Sequence, residues 1–144
     1  IAKELRAAEL DHYRRCVENY PTDAGYKYEY GLRLMQKKEY DKAIPLLQEA
    51  QREPRRRIAA MSKVGQCFFM KGWYSDAIDM YQQAIEAYST KDDALAKELR
   101  YNLARAYEET GKIEEALSAY RKIVQIDFGY KDVSKRVDKL RKEQ

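Results

Sequence analysis

His12 is the only imidazole among these 144 residues, so any chemistry built on it must recruit other side chains. Asp11 precedes it and Cys16 follows one helical turn later. A metal site takes three or four ligands, and no second His/Cys cluster exists to complete one. His12 therefore reads as a helix-surface residue, and no metal is expected. Gly111-Lys112 matches the end of a phosphate-binding loop, but the upstream glycine and the preceding strand are missing. That glycine reads instead as an inter-helix turn. The carboxylate pairs Glu108/Glu109, Glu114/Glu115 and Asp92/Asp93 are sequence neighbours. On a helix such neighbours diverge by about 100°, so they suit helix N-termini or solvated faces better than a converging acid–base pair. No nucleophile stands beside a base. The chain is expected to be non-catalytic and to need no cofactor.

Composition points to helices with solvated outer faces. Charged residues make up 36% of the chain and hydrophobic ones 44%, with 6 Gly and 3 Pro, which argues against disorder. Tyrosine occurs 13 times, and its ring can pack while its hydroxyl reaches water or a partner. The net charge of +4 is small for a dedicated nucleic-acid binder. Cys16 and Cys67 stand apart, in no CxxC pattern, as core thiols of a reducing compartment would. No stretch approaches the roughly 18 apolar residues of a membrane helix, so a cytoplasmic location and no membrane partner are expected. Opening on Ile1, the chain is expected to be a fragment of a larger protein.

The elements that would carry any site emerge from an internal repeat. Gly31 and Gly65 are 34 residues apart, as are Tyr40 and Tyr74, Ala43 and Ala77, and Ala50 and Ala84. YGLRLMQKKEYDKAIPLLQEA lies over VGQCFFMKGWYSDAIDMYQQA without a gap. A third copy, LARAYEETGKIEEALSAYRKI, follows about five extra residues around Ser89–Asp93, with Ala104 in the glycine's place and Ala116 in the first alanine's. In each copy two stretches with apolar residues at helical spacing flank a polar break: Lys37-Lys38-Glu39, Lys71-Gly72-Trp73 or Thr110-Gly111-Lys112. These predict pairs of antiparallel amphipathic helices. The small residues let two backbones approach, and Leu47, Tyr81 or Tyr120 fills the space toward the next unit.

This pattern resembles the tetratricopeptide repeat, a 34-residue helix–turn–helix. The resemblance spans Ala24 to about Asp127, although the family's early aromatic is replaced by Lys27, Met61 and Arg100, with Tyr28 and Tyr101 beside two of them. It implies an all-α, right-handed solenoid of about eight helices and no strands. Within one domain, residues 1–21 would be the orphan second helix of an upstream repeat, and 22–55, 56–91 and 92–128 three repeats. Residues 129–144 would form a capping helix, with Val133, Val137 and Leu140 on its apolar face.

The resemblance also implies a concave face lined by the first helix of each repeat. Counting from the small packing residue, the inward positions are Tyr28, Leu32 and Met35, then Ser62, Gln66 and Phe69, then Tyr101, Arg105 and Glu108. Gly31, Ala43, Ala50, Gly65, Ala77, Ala84, Ala104 and Ala116 are the structural positions. The implied function is a protein–protein interaction scaffold that binds a peptide or protein segment in this groove. Chaperone-binding members of the family hold an acidic tail with a carboxylate clamp. At the matching positions Tyr28, Leu32, Gln66, Tyr101 and Arg105, only Arg105 agrees, which disfavours that partner.

Two alternatives remain open. The apolar face of residues 2–20 (Leu5, Leu10, Tyr13, Cys16 and Val17) would serve self-association in an assembly or spacer module. Basic clusters at Arg52, Arg55, Arg56 and Arg57, and at Lys131, Lys135, Arg136, Lys139, Arg141 and Lys142, would serve a nucleic-acid contact. Interleaved Glu53, Asp132, Asp138 and Glu143 argue for solvated faces instead.

Overall fold

The computed structural model describes Ile1–Gln144 as eight α-helices with no strand. They are α1 (Ala2–Asn19), α2 (Ala24–Gln36), α3 (Tyr40–Ala50), α4 (Arg57–Met70), α5 (Tyr74–Ala87), α6 (Ala94–Glu109), α7 (Ile113–Ile126) and α8 (Val133–Lys142). They divide between two compact units, Ile1–Lys71 and Gly72–Gln144.

In the first unit α1 packs on α2, α2 on α3, and α3 on α4, with α2 also touching α4. The Asp23 carboxylate caps α2 by accepting from the Tyr26 amide at 2.9 Å. The helix ends in a pair of reversed bonds, Lys38 N–H to Met35 O and Glu39 N–H to Leu34 O, both 2.9 Å. That closure places Lys38 in the left-handed region at φ +63°, a conformation that a sequence without glycine at this break did not announce. Leu34, Ala43, Leu47, Ala50, Ala60, Val64 and Cys67 are buried. Pro45 lies inside α3 and is exposed, so the bond it cannot donate is on the wet side. The guanidinium of Arg33 ties α1 to α2: it sits 4.7 Å from the Tyr13 ring centroid and donates to Glu9 at 3.0 Å and Glu29 at 2.8 Å. Lys27 pairs with Glu49 between α2 and α3.

In the second unit α5 packs on α6, α6 on α7, and α7 on α8. Asp93 caps α6, accepting from the Ala96 amide at 2.8 Å and from the Tyr88 hydroxyl. These bonds hold its pKa below the ordinary carboxylate value. Here the reversed closure uses Gly111 at φ +75°, bonded to Glu108 O, while Lys112 N–H reaches Tyr107 O. Tyr120, Leu99, Ile123, Val133 and Leu140 fill the interior. On α8, Val133, Val137 and Leu140 recur at i, i+4 and i+7, and all three are buried.

Candidate functional site

The small packing residues behave as backbone contacts. Gly31, Gly65, Ala43, Ala50, Ala77, Ala84, Ala104 and Ala116 are all buried. A Cβ at Gly31 would lie 2.9 Å from both Cγ and Cδ2 of Leu47, which explains the glycine there. This close approach sets how α2 lies against α3.

In the first unit α2 carries Tyr28, Leu32 and Met35, all half-buried. The adjoining α4 contributes Gln66 and Phe69, also half-buried. Ser62 is different: it is 1% exposed and receives the Gln66 side-chain amide at 3.4 Å. It orients Gln66 and offers a partner almost no surface. Five of the nine groove positions thus lie, partly open, on two touching helices of one unit.

The second unit treats the same offsets otherwise. Tyr101 is buried, and its hydroxyl donates to Asp132 Oδ1 at 2.7 Å. Its ring meets Tyr120 and Tyr130 edge-on, with centroids 6.0 Å apart in each case, and Lys131 Nζ sits 4.7 Å from its centroid. Glu108 accepts from the Tyr120 hydroxyl and from Arg136 Nη1, the latter at 3.0 Å. Arg136 Nε also donates to Asp132 Oδ2 at 2.9 Å. Burial, then the bond to Glu108, pushes the Tyr120 phenol well above its ordinary pKa. Burial and the bond to Asp132 raise Tyr101 in the same direction. Burial opposes the charge of Arg136, yet Tyr120, Glu108 and Asp132 together hold its pKa above the ordinary value. Tyr101 and Glu108 therefore belong to a latch that fastens α8, while Arg105 stays half-exposed. The sequence grouped Arg136 with the solvated cations of α8. The available signal was the i, i+4 spacing of Asp132 and Arg136, an oriented pair able to reach inward.

Elsewhere, His12 Nε2 lies 3.6 Å from Cys16 Sγ on α1, and no group of three His, Cys, Asp or Glu side chains is placed to hold a metal. Cys67 is buried, and burial lifts its pKa to about 11, so its thiolate is scarce at neutral pH. Arg56 pairs with Glu53, whereas Arg52, Arg55 and Arg57 are exposed. No helix is long and apolar enough to cross a membrane.

Comparison with known proteins agrees with this fold. The family model described as "Tetratricopeptide repeat" matches residues 56–127, half of the chain. A crystal structure of MamA superposes with a TM-score of 0.84 at 20% identity, covering 99% of this chain and 80% of that one. Residues 41 to the end of MamA from Desulfovibrio magneticus RS-1 give 0.81 at 17% identity, over 96% and 76%. TTC0263, a thermophilic tetratricopeptide protein of Thermus thermophilus, gives 0.75 at 19% identity, over 96% and 74%. At these identities the likeness concerns the fold, a solenoid of helix pairs. No curated protein matches the sequence.

Proposed function

The chain belongs to the tetratricopeptide-repeat family, and from that premise we propose that it is a non-catalytic scaffold holding a polypeptide segment on the α2–α4 face of its first unit. The fold generally mediates protein–protein interaction. The observation that carries this reading is the half-buried row Tyr28, Leu32 and Met35 on α2 beside Gln66 and Phe69 on α4. Three apolar side chains at helical spacing next to an amide suit an apolar segment whose backbone meets the amide. Two of the three matching positions of the second unit, Tyr101 and Glu108, serve α8 instead, so the first unit is the better docking face.

The test is affinity capture from extract of the source organism, comparing wild type with Leu32→Glu/Met35→Glu after circular dichroism shows equal helicity. The reading expects a specific protein on wild type whose retention drops about tenfold or more in the variant. Retention of the same proteins by both would place the binding surface elsewhere. One observation favours a second reading, self-association: α1 buries none of its 18 residues, and Leu5 is 59% exposed. Sedimentation of wild type across a concentration series would then show a dimer that Leu5→Glu abolishes.

A further inference from the structure

Besides the cluster at Arg52, Arg55, Arg56 and Arg57, positive charge gathers on α8. Helix α8 holds five cations, Lys135, Arg136, Lys139, Arg141 and Lys142, against one acid, Asp138. That excess equals the net +4 of the whole chain, so the rest of the sequence is balanced. Arg136 turns inward to Glu108 and Asp132, and the other four are exposed.

Beside these cations runs a groove of about 380 Å³ between α7 and α8. Arg121, Val124 and Gln125 of α7, with Phe128 just past the helix end, form one bank; residues 134, 137, 138 and 141, at i, i+3, i+4 and i+7 of α8, form the other. Val124 and Val137 line it from opposite banks, and Phe128 stands at its end, 73% exposed. Arg121 lines one bank and Arg141 the other. The ion pairs of this unit join Lys97 to Asp127 and Arg136 to Glu108 and Asp132, which leaves both of these arginines unpaired. The lining mixes Val124, Phe128 and Val137 with Gln125, Ser134 and Asp138 and has an arginine on each bank; apolar contacts beside exposed cations fit a third helix that carries apolar residues on one face and carboxylates beside them. A nucleic acid would use the cations and leave the valine-lined channel empty. A bilayer surface is too flat to enter a channel between two helices.

We propose that the α7–α8 groove is a second docking surface, which takes an acidic amphipathic helix of a partner protein. Its apolar side chains would lie against Val124 and Phe128, over the buried Val137, and its carboxylates would meet Arg121 and Arg141.

The probe is a synthetic helical peptide of about four turns, with Leu at positions three and four apart and Glu, Gln and Ala between them. It is titrated into the full 15N-labelled chain. Saturable binding with amide shifts centred on α7 and α8 is expected. Affinity should fall about tenfold or more in Arg121→Glu/Arg141→Glu and clearly in Phe128→Ser; all three side chains are exposed, so both variants should keep wild-type helicity. A peptide of the same composition with Leu scattered around the helix should not bind. No saturable binding, equal binding of the scattered peptide, or shifts lying elsewhere would overturn the proposal. So would capture of oligothymidylate or phosphatidylserine vesicles, but not the peptide, through the two arginines.

Discussion

The hairpin α2–α3 of the first unit and the hairpin α6–α7 of the second meet one packing demand with different residues. In the first, Gly31 lies against the branched end of Leu47, so close that a Cβ would fall at 2.9 Å. In the second, Ala104 and Tyr120 hold the same places and both are fully buried. The larger filler therefore tolerates the larger small residue, because a flat ring can pass beside a methyl group where a branched carbon cannot. The phenol then needs an acceptor, which Glu108 supplies; the position equivalent to Glu108 in the first hairpin is Met35, which supplies none. Between these two hairpins small residue, filler and acceptor differ together, whereas the middle repeat has Gly65, Tyr81 and Phe69 at the same positions; filled volume and polar satisfaction are thus met hairpin by hairpin, not by one fixed set of residues.

The largest expected effect probes the filler. Tyr120→Ala should cost about 3–5 kcal/mol in urea unfolding, since it empties a fully buried site. Tyr120→Phe keeps the ring and should cost only about 1 kcal/mol, the hydroxyl's bond. Equal losses would mean that the bond to Glu108, not the ring, holds the hairpin, and the volume argument would fail. The same tyrosines set an alkaline limit. Burial is the leading cause that raises Tyr101, Tyr120 and Tyr130 above the ordinary value of 10.0. Above that value the folded chain keeps protons which the unfolded chain has released. The stability from these phenols is thus full below about pH 10 and is lost as pH rises through the folded-state values. Helicity should fall as pH rises above 10, and helicity that stayed level while all 13 tyrosines ionised, read by tyrosinate absorbance, would contradict this.

Exchanging the small residues comes next. Gly31→Ala gains about 1 kcal/mol of helix propensity but overpacks Leu47, which costs about 1–3 kcal/mol; a net loss is expected. In a Leu47→Ala background the same change should become stabilising, because the obstructing carbons are gone. The converse, Ala104→Gly, should cost about 1 kcal/mol. A stabilising Gly31→Ala in the wild-type background would show that α2 and α3 can part without penalty.

Much of this was legible in the residues. The 34-residue offsets located the helix pairs, because buried small residues must recur wherever backbones meet. The i, i+4, i+7 spacing of Tyr28, Leu32 and Met35 sets them in one row along α2. Tyr101 and Glu108 were not separable from that row, because their partners Asp132 and Arg136 lie 31 and 28 residues further on. Periodicity along one helix shows which side a residue faces and says nothing about which distant charge turns to meet it. The inward turn of Arg136 out of a run of cations depends on that three-dimensional match. So does the groove between α7 and α8, whose two banks come from different helices.

The smallest effect concerns the turns that end α2 and α6. Both close with the same reversed pair of hydrogen bonds, and both require a residue at positive φ. Gly111 takes φ +75° in the second unit, while Lys38 takes +63° in the first. A side chain in that region costs about 1–2 kcal/mol. Glycine removes the cost but gives the unfolded chain about 0.4–1 kcal/mol of extra freedom. Lys38→Gly should therefore stabilise by roughly 0.5–1 kcal/mol, and Gly111→Lys should destabilise by a similar amount. Because Lys38 is exposed, neither change disturbs the core contacts of its hairpin. Chemical denaturation of the two variants side by side measures the difference. If Lys38→Gly were destabilising, the lysine side chain would be contributing more at that turn than its conformation costs, and the two closures would be alike in hydrogen bonding only.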